Sequence, residues 1–484
     1  MLASLALLIL ADPDVILAQR AAASAAYAAE AETLIARAAA VGRDDLAGEI
    51  RGTLAPPSDD PLAERPSSVR RREINLPEVE RHIERRFAEV RRDHAAALFR
   101  LSRRLVREGR PALAFGTLEQ AAAVDPDYEP VRRLLGDQRV GDEWMTPHHA
   151  RMRRTRQVWH DRFGWIGADQ VARYEAGERF YRSRWMTADE EAAIRSNSRN
   201  AWTVETDHFV VRSNHSLERT ASLAGRLEAF HRFFRRTYAD LFDSSRLAGA
   251  LLEAGPIPTR EKHAVRDFAA REEYVARLAP KMPGVEISTG LYLTGDRTAY
   301  FFHREEVARP QDVLYHEVSH QLLYESDARD RPTGADAHFW PIEGFASYLE
   351  SFDPEAEPSK MVGDVDHVRM LRARERLLTD GDHEPFAQFQ SRGMRNFQRG
   401  ETLDQIRGRY AQATGLTHFF LHADGGRYRR AFLTHLRQIY DARRHGPESL
   451  SDLTGLSPAE IDRRYKAYLR EIDAQSRRPV IAAE

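Results

Sequence analysis

Residues 310–325 read PQDVLYHEVSHQLLYE, and how this stretch is read decides the fold. Pro310 at its start and Asp312 in the first turn suit a helix N-terminus, while Val313, Leu314, Val318, Leu322 and Leu323 supply an apolar face. Side chains four apart on a helix lie one above the other, so His316 and His320 point at one place. Zinc, bonded to imidazole nitrogen at about 2.0–2.1 Å, fits that spacing. Glu317 sits one residue round the helix, placed to meet a metal-bound water and not the metal itself. The competing reading is two exposed helix histidines with an acid between them.

Two histidines leave a catalytic zinc one protein ligand short. The 484-residue chain has 19 His and no Cys, so every ligand must be His, Asp or Glu. Position 326, six residues after His320, is Ser, which removes one source of a third histidine. The next helix signal is FWPIEGFASY (339–348), with Pro341 in its first turn. Its Glu343 follows His320 by 23 positions, enough chain for a loop and a return. Glu350, seven residues on along the same face, is the alternative ligand or a supporting partner. Asp336 and His338 fall in the intervening loop, from which His338 has a route to the metal.

HEVSH followed by WPIEGFASY resembles the gluzincin branch of zinc metallopeptidases, the thermolysin-like superfamily. Within it the resemblance is to poorly characterised bacterial families with a W/L-x-x-E-G-x-A-x-Y second motif, and it spans about residues 201–475. It implies a zinc-dependent peptidase holding one zinc per chain, with His316, His320 and Glu343 as ligands and Glu317 as the base that activates zinc-bound water. It further implies a small sheet whose edge strand lies beside the active-site helix, and makes the strand near Ala299–Phe302 the substrate-binding edge. Thermolysin-type enzymes carry Asp four residues beyond the ligand Glu, where this chain has Ser347. Carboxylate support for a zinc histidine must then come from elsewhere. Tyr410, in RYAQATGLTHFFLH (409–422), resembles a recurring Tyr-Ala-Gln element and is the candidate oxyanion donor; its other reading is a packing tyrosine. His418 and His422 are also four apart, but lack the Glu and lie near Gly425-Gly426. They read as structural or solvent-facing.

Upstream of the helix, GLYLTGDRTAYFF (290–302) is a hairpin signal around Gly295-Asp296. WTVETDHFVVR (202–212) and 263–268 read as strands, with a helix over 217–242 and another over 271–278. Strands followed by helices make an α+β domain. Before it, GDEWMTPHHA (141–150) and RSRWMTADEEA (182–192) echo each other, Trp144 and Trp185 being 41 residues apart. Thr146 and Thr187 are the expected N-caps in these packing modules. Residues 96–136 match little more than one tetratricopeptide-like unit, with Gly109 between two helices and Asp125-Pro126 opening the next.

The expected organisation is α+β and mainly helical. Residues 1–18 form a signal peptide or the start of a buried helix, and 19–72 an Ala-rich helix and Pro-rich linker. A tetratricopeptide-like (TPR-like) helical lobe spans 73–140 and a connector 141–200. A zincin-like metallopeptidase domain over 201–478 carries a small sheet, an active-site helix and a helical C-terminal subdomain. The apolar MLASLALLILA at 1–11 favours export through an atypical signal, with the cytoplasm left open; no later segment suits a membrane span. With 72 Lys+Arg against 74 Asp+Glu there is no bulk pull toward nucleic acid. Phosphate-binding GxxxxGKS and GxGxxG loops and the GxSxG elbow are missing. The expected partners are a peptide or protein substrate and a protein on the helical lobe. The rival class is a non-catalytic, partner-binding scaffold with a vestigial peptidase fold, against which the intact His316, Glu317, His320 and Glu343 argue.

Overall fold

The computed structural model describes residues 13–54, 76–241, 249–251, 261–304, 309, 311–326, 334–400, 402–441 and 446–476. The export signal expected at 1–11 lies outside them, as does most of the Pro-rich linker. No helix among the described residues is long and apolar enough to cross a membrane. The protein is α+β and mainly helical, with a small mixed sheet. It divides into two compact units, residues 1–158 with 231–261, and 159–230 with 262–484. The connector is thus cut after Val158, and 231–261 go with the N-terminal helices, whereas the expected boundaries were linear.

The first unit is built on helices Pro13–Ala40, Asp44–Leu54, Glu78–Arg107, Pro111–Val124 and Glu129–Leu134. Along Glu78–Arg107 the buried line runs Ile83, Phe87, Val90, His94, Leu98, Leu101, Leu105, at spacings of three and four. Val79, near the start of the helix, lies off this line and is 58% exposed. His94 stacks on Tyr27 with ring centroids 4.6 Å apart. Gly109, at φ +67°, makes the turn into Pro111–Val124 that only a residue without Cβ adopts freely. The following helix opens at Glu129, not at Pro126, because Asp125–Tyr128 form a turn first.

Three hairpins, each followed by a short helix, come next in the chain. They are β1 (Gln138–Val140) with β2 (Glu143–Met145), β3 (Gln157–His160) with β4 (Gly164–Gly167), and β5 (Glu178–Tyr181) with β6 (Arg184–Thr187). Thr146 caps its helix by accepting from the His149 N–H, and Thr187 forms a full capping box with Glu190. The middle copy escapes the sequence echo. Trp165 matches Trp144 and Trp185, but Gly167 stands where the others have the capping threonine.

In the second unit, β7 (Trp202–Glu205), β8 (Phe209–Ser213), β9 (His263–Phe268), β10 (Gly290–Leu293) and β11 (Thr298–Phe302) form one sheet, ordered β10-β11-β9-β8-β7. What reads as one strand over 202–212 is two, hairpinned through Asp207-His208. β8, β9 and β11 run parallel, and β10 and β7 are antiparallel edges. This corrects the expected substrate edge. Ala299–Phe302 is an inner strand, paired on both sides, and the edge is Gly290–Leu293. The helix Gln311–Ser326 packs on β10 and β11. Gln321 Nε2 donates to the Ala264 carbonyl at 3.1 Å, and Glu325 accepts from the Tyr292 hydroxyl at 3.1 Å. The helices after it, Phe339–Leu349, Val368–Leu378, Leu403–Gly426, Arg429–Tyr440 and Pro458–Ser476, enclose a core around Trp340, which is fully buried against Phe386, Phe389, Phe420 and Phe432.

Candidate metal centre

The HExxH stretch is helical from Gln311 to Ser326, and FWPIEGFASYL forms the helix Phe339–Leu349, buried on all its faces. The two helices pack together and carry His316, His320 and Glu343 to one point. His316 Nε2 lies 3.2 Å from His320 Nε2 and 3.3 Å from Glu343 Oε2; His320 Nε2 to Glu343 Oε2 is 3.8 Å. A tetrahedral ion with bonds of 2.0–2.1 Å sets its ligand atoms roughly 3.3–3.4 Å apart. The triangle brackets that value, so these three atoms fit a zinc ion with its fourth position left open.

Glu350, the first residue after that helix, is not a third arm of the triangle. Its Oε1 lies 2.9 Å from His316 Nδ1, the ring nitrogen that faces away from the other two ligands. Arg369 clamps Glu350 in turn, Nε to Oε2 at 2.9 Å and Nη2 to Oε1 at 3.0 Å. The carboxylate support that Ser347 does not give is therefore supplied three residues later. His367, which opens the helix Val368–Leu378, ties this arm to the start of the HExxH helix through Asp312 at 3.0 Å.

Electrostatics follow from this crowding. Burial opposes charging the His316 ring, but hydrogen bonds to Glu343 and Glu350 outweigh it and raise its pKa to about 10. Burial likewise opposes the Glu343 carboxylate, yet the charges and hydrogen bonds of His320 and His316 hold it far below the usual range. Glu350 is lowered to about 2, chiefly by Arg369 acting against burial. Glu317, Glu343 and Glu350 against the one guanidinium of Arg369 leave two negative charges when both histidines are neutral, which a divalent cation balances.

Glu317 is not one of the three clustered residues; its Oε2 accepts from the Tyr292 N–H of the edge strand at 2.8 Å. Gly290 makes that approach possible: a Cβ there would lie 2.6 Å from Val313 Cγ1 and 3.2 Å from Glu317 Cγ. Tyr410 is close enough for Glu343 and Glu317 to add to the effect of burial in raising its hydroxyl pKa. Gln398 Nε2 donates to that hydroxyl at 3.5 Å, and the Arg369 guanidinium lies 5.7 Å from the ring centre. His418 and His422 are structural. His418 is buried, with Nδ1 2.7 Å from the Tyr468 hydroxyl and Nε2 3.0 Å from the Gly363 carbonyl; His422 Nε2 lies 2.8 Å from the Tyr348 hydroxyl. His338 packs on His435 at 5.2 Å between ring centres and is not in the ligand cluster. Arg369 and Tyr292 are the residues that sequence reading missed. One acts through a long-range ion pair and the other through its backbone, and neither leaves a local spacing signal.

Residues 312–440 match a family described as protein of unknown function (DUF1570), a span that takes in both metal-site motifs, Arg369 and Tyr410. No curated protein and no solved structure matches the chain.

Proposed function

We propose that the protein is a zinc-dependent peptidase, with a zincin-like catalytic unit and a TPR-like helical lobe. The observation that carries this reading is the triangle of His316 Nε2, His320 Nε2 and Glu343 Oε2, with Glu317 on the same helix turned to a sheet edge. An ion held there supplies Lewis acidity and lowers the pKa of a water it binds. Glu317 is the proton carrier, taking the proton from the attacking water on a free carboxylate oxygen and delivering it to the leaving amine. Tyr292, by donating its N–H to Oε2, fixes the direction of that carboxylate. The edge strand Gly290–Leu293 receives the substrate as an added strand, since among the described residues no strand pairs with its outer side, where Glu317 holds the Tyr292 N–H. Tyr410 donates a hydrogen bond from its hydroxyl to the developing oxyanion and keeps its proton.

The test is metal analysis together with hydrolysis of a quenched-peptide mixture. Wild type is expected to hold about one zinc and to turn over. Glu317→Gln is expected to hold the same zinc and to lose about 10²–10⁴ in kcat. Glu343→Ala is expected to lose tight zinc. Glu317→Gln cleaving as well as wild type would sink the mechanism, and tight zinc in Glu343→Ala would sink the ligand assignment.

A further inference from the structure

The three parallel strands β8, β9 and β11 end side by side at Ser213, Phe268 and Phe302. Ligands are commonly received beyond the carboxyl ends of parallel strands, where the outgoing loops part. A cavity of about 400 Å³ lies there, walled by Asp267 of β9, Arg304 beyond β11, and Arg219 and Arg226 of the helix Leu217–Thr237.

Among the described residues its charge is not balanced. Asp267 is 1% exposed and both its oxygens are engaged: Arg219 donates from Nε at 2.7 Å and from Nη2 at 3.0 Å, and Ser213 Oγ donates at 2.9 Å. The pair holds the Arg219 guanidinium side-on, so that three of its five N–H bonds remain for another acceptor. The second acid in the wall, Glu218, is held by Arg179 at 2.7 Å. Arg226 and Arg304 have no carboxylate partner among the described residues. Among the described residues the cavity therefore presents one guanidinium pinned by Asp267 and two with no carboxylate partner, Arg226 lying beside the Tyr315 hydroxyl, a setting that favours an anion with planar oxygens.

The cavity also adjoins the candidate catalytic centre. Val313, in its wall, stands four residues before Glu317 on the same helix face, and both side chains border Gly290. Thr289, the residue before Gly290, is in the wall as well.

We infer that this cavity is a subsite for a carboxylate of the substrate, borne on an acidic side chain or at a free C-terminus a short distance from the cleaved bond. The inference rests on the peptidase reading above, and its test keeps the two apart. The zinc-loaded wild type is given matched quenched peptides with Glu or Gln at single positions on each side of the cleaved bond, with free or amidated C-termini. A carboxylate at one position is expected to raise kcat/KM about tenfold or more, the worth of a hydrogen bond to a charged group. If amidation abolishes the preference, the terminal carboxylate is the ligand; if the preference follows Glu against Gln, the side chain is. In Arg304→Gln and Arg226→Gln the acid-to-neutral ratio is expected to fall toward one, and in Arg304→Glu to invert. These are chosen over Arg219 variants, which would strand the buried Asp267. A ratio near one in wild type, or a ratio unchanged in all three variants, overturns the subsite while leaving the peptidase standing. If no peptide is cut, the peptidase reading fails, and the subsite is decided by fluorescence anisotropy with a labelled acidic peptide and its Gln counterpart. Tighter binding of the acidic peptide, weakened by salt and by Arg304→Glu, supports it; equal binding of the two overturns it.

Discussion

Glu350 touches the candidate ligand cluster without joining it. Its contact with His316 Nδ1 fixes the ring so that Nε2 faces Glu343, and Arg369 fixes the carboxylate in turn. Outer partners of this kind typically alter metal affinity 10- to 100-fold, whereas losing a ligand removes tight binding. Glu350→Gln is therefore expected to weaken zinc by about 10- to 100-fold in a competition titration with a chromophoric chelator. Arg369→Gln is expected to weaken it in the same direction, because Glu350 then has one fewer anchor. Wild-type affinity in Glu350→Gln would show that His316 is oriented by its packing alone. At this scale HExxH was legible because four residues is one helical turn, and Glu343 because its helix announces itself with Pro341. The choice between ligand and support for Glu350 was not, since it depends on Arg369, 19 residues away on another helix.

Glycine decides how closely the elements of the second unit approach. At Gly344 a Cβ would lie 2.5 Å from both the Ala413 carbonyl oxygen and Thr417 Oγ1, so the helices Phe339–Leu349 and Leu403–Gly426 cross in contact at that point. The backbone oxygen cannot rotate away, and an added methyl must push the helices apart. Gly344→Ala is expected to cost about 1–3 kcal/mol in a denaturant melt of the zinc-loaded protein. It is also expected to weaken zinc, because Glu343 sits on the displaced helix. Unchanged stability would mean the crossing yields more easily than its geometry implies. The sequence displayed the Glu-Gly pair but not the reason for it, since residue 413 is 69 positions away. Strand order was hidden in the same way. The pattern over 290–302 reveals a hairpin, but which of its two strands is the edge depends on β9 pairing with Thr298–Phe302, a contact that begins some 30 residues upstream.

Over the whole molecule, the helices behind the candidate metal centre hold their packing with neutral histidines, and this ties stability to pH. His418 and His435 are both buried, and burial lowers each to about 4, against the hydrogen bonds they make to the Gly363 and Glu448 carbonyls. A folded pKa below the unfolded value near 6.5 means that the unfolded chain takes up protons first as the solution is acidified. Stability from these rings is complete above about pH 6.5, falls as pH drops toward 4, and changes little below that. Each ring accounts for up to about 3 kcal/mol across the window. The thermal midpoint is expected to decline between pH 6.5 and 4, and the decline to be shallower in His418→Gln and His435→Gln. Because His316 and the more distant titrating groups are common to all three proteins, the difference in slope reports the exchanged ring together with the histidine it borders, His422 for His418 and His338 for His435. Parallel pH curves for wild type and both variants would mean that these histidines gain protons in the folded state, and that the core about Trp340 is more open to water than its packing indicates.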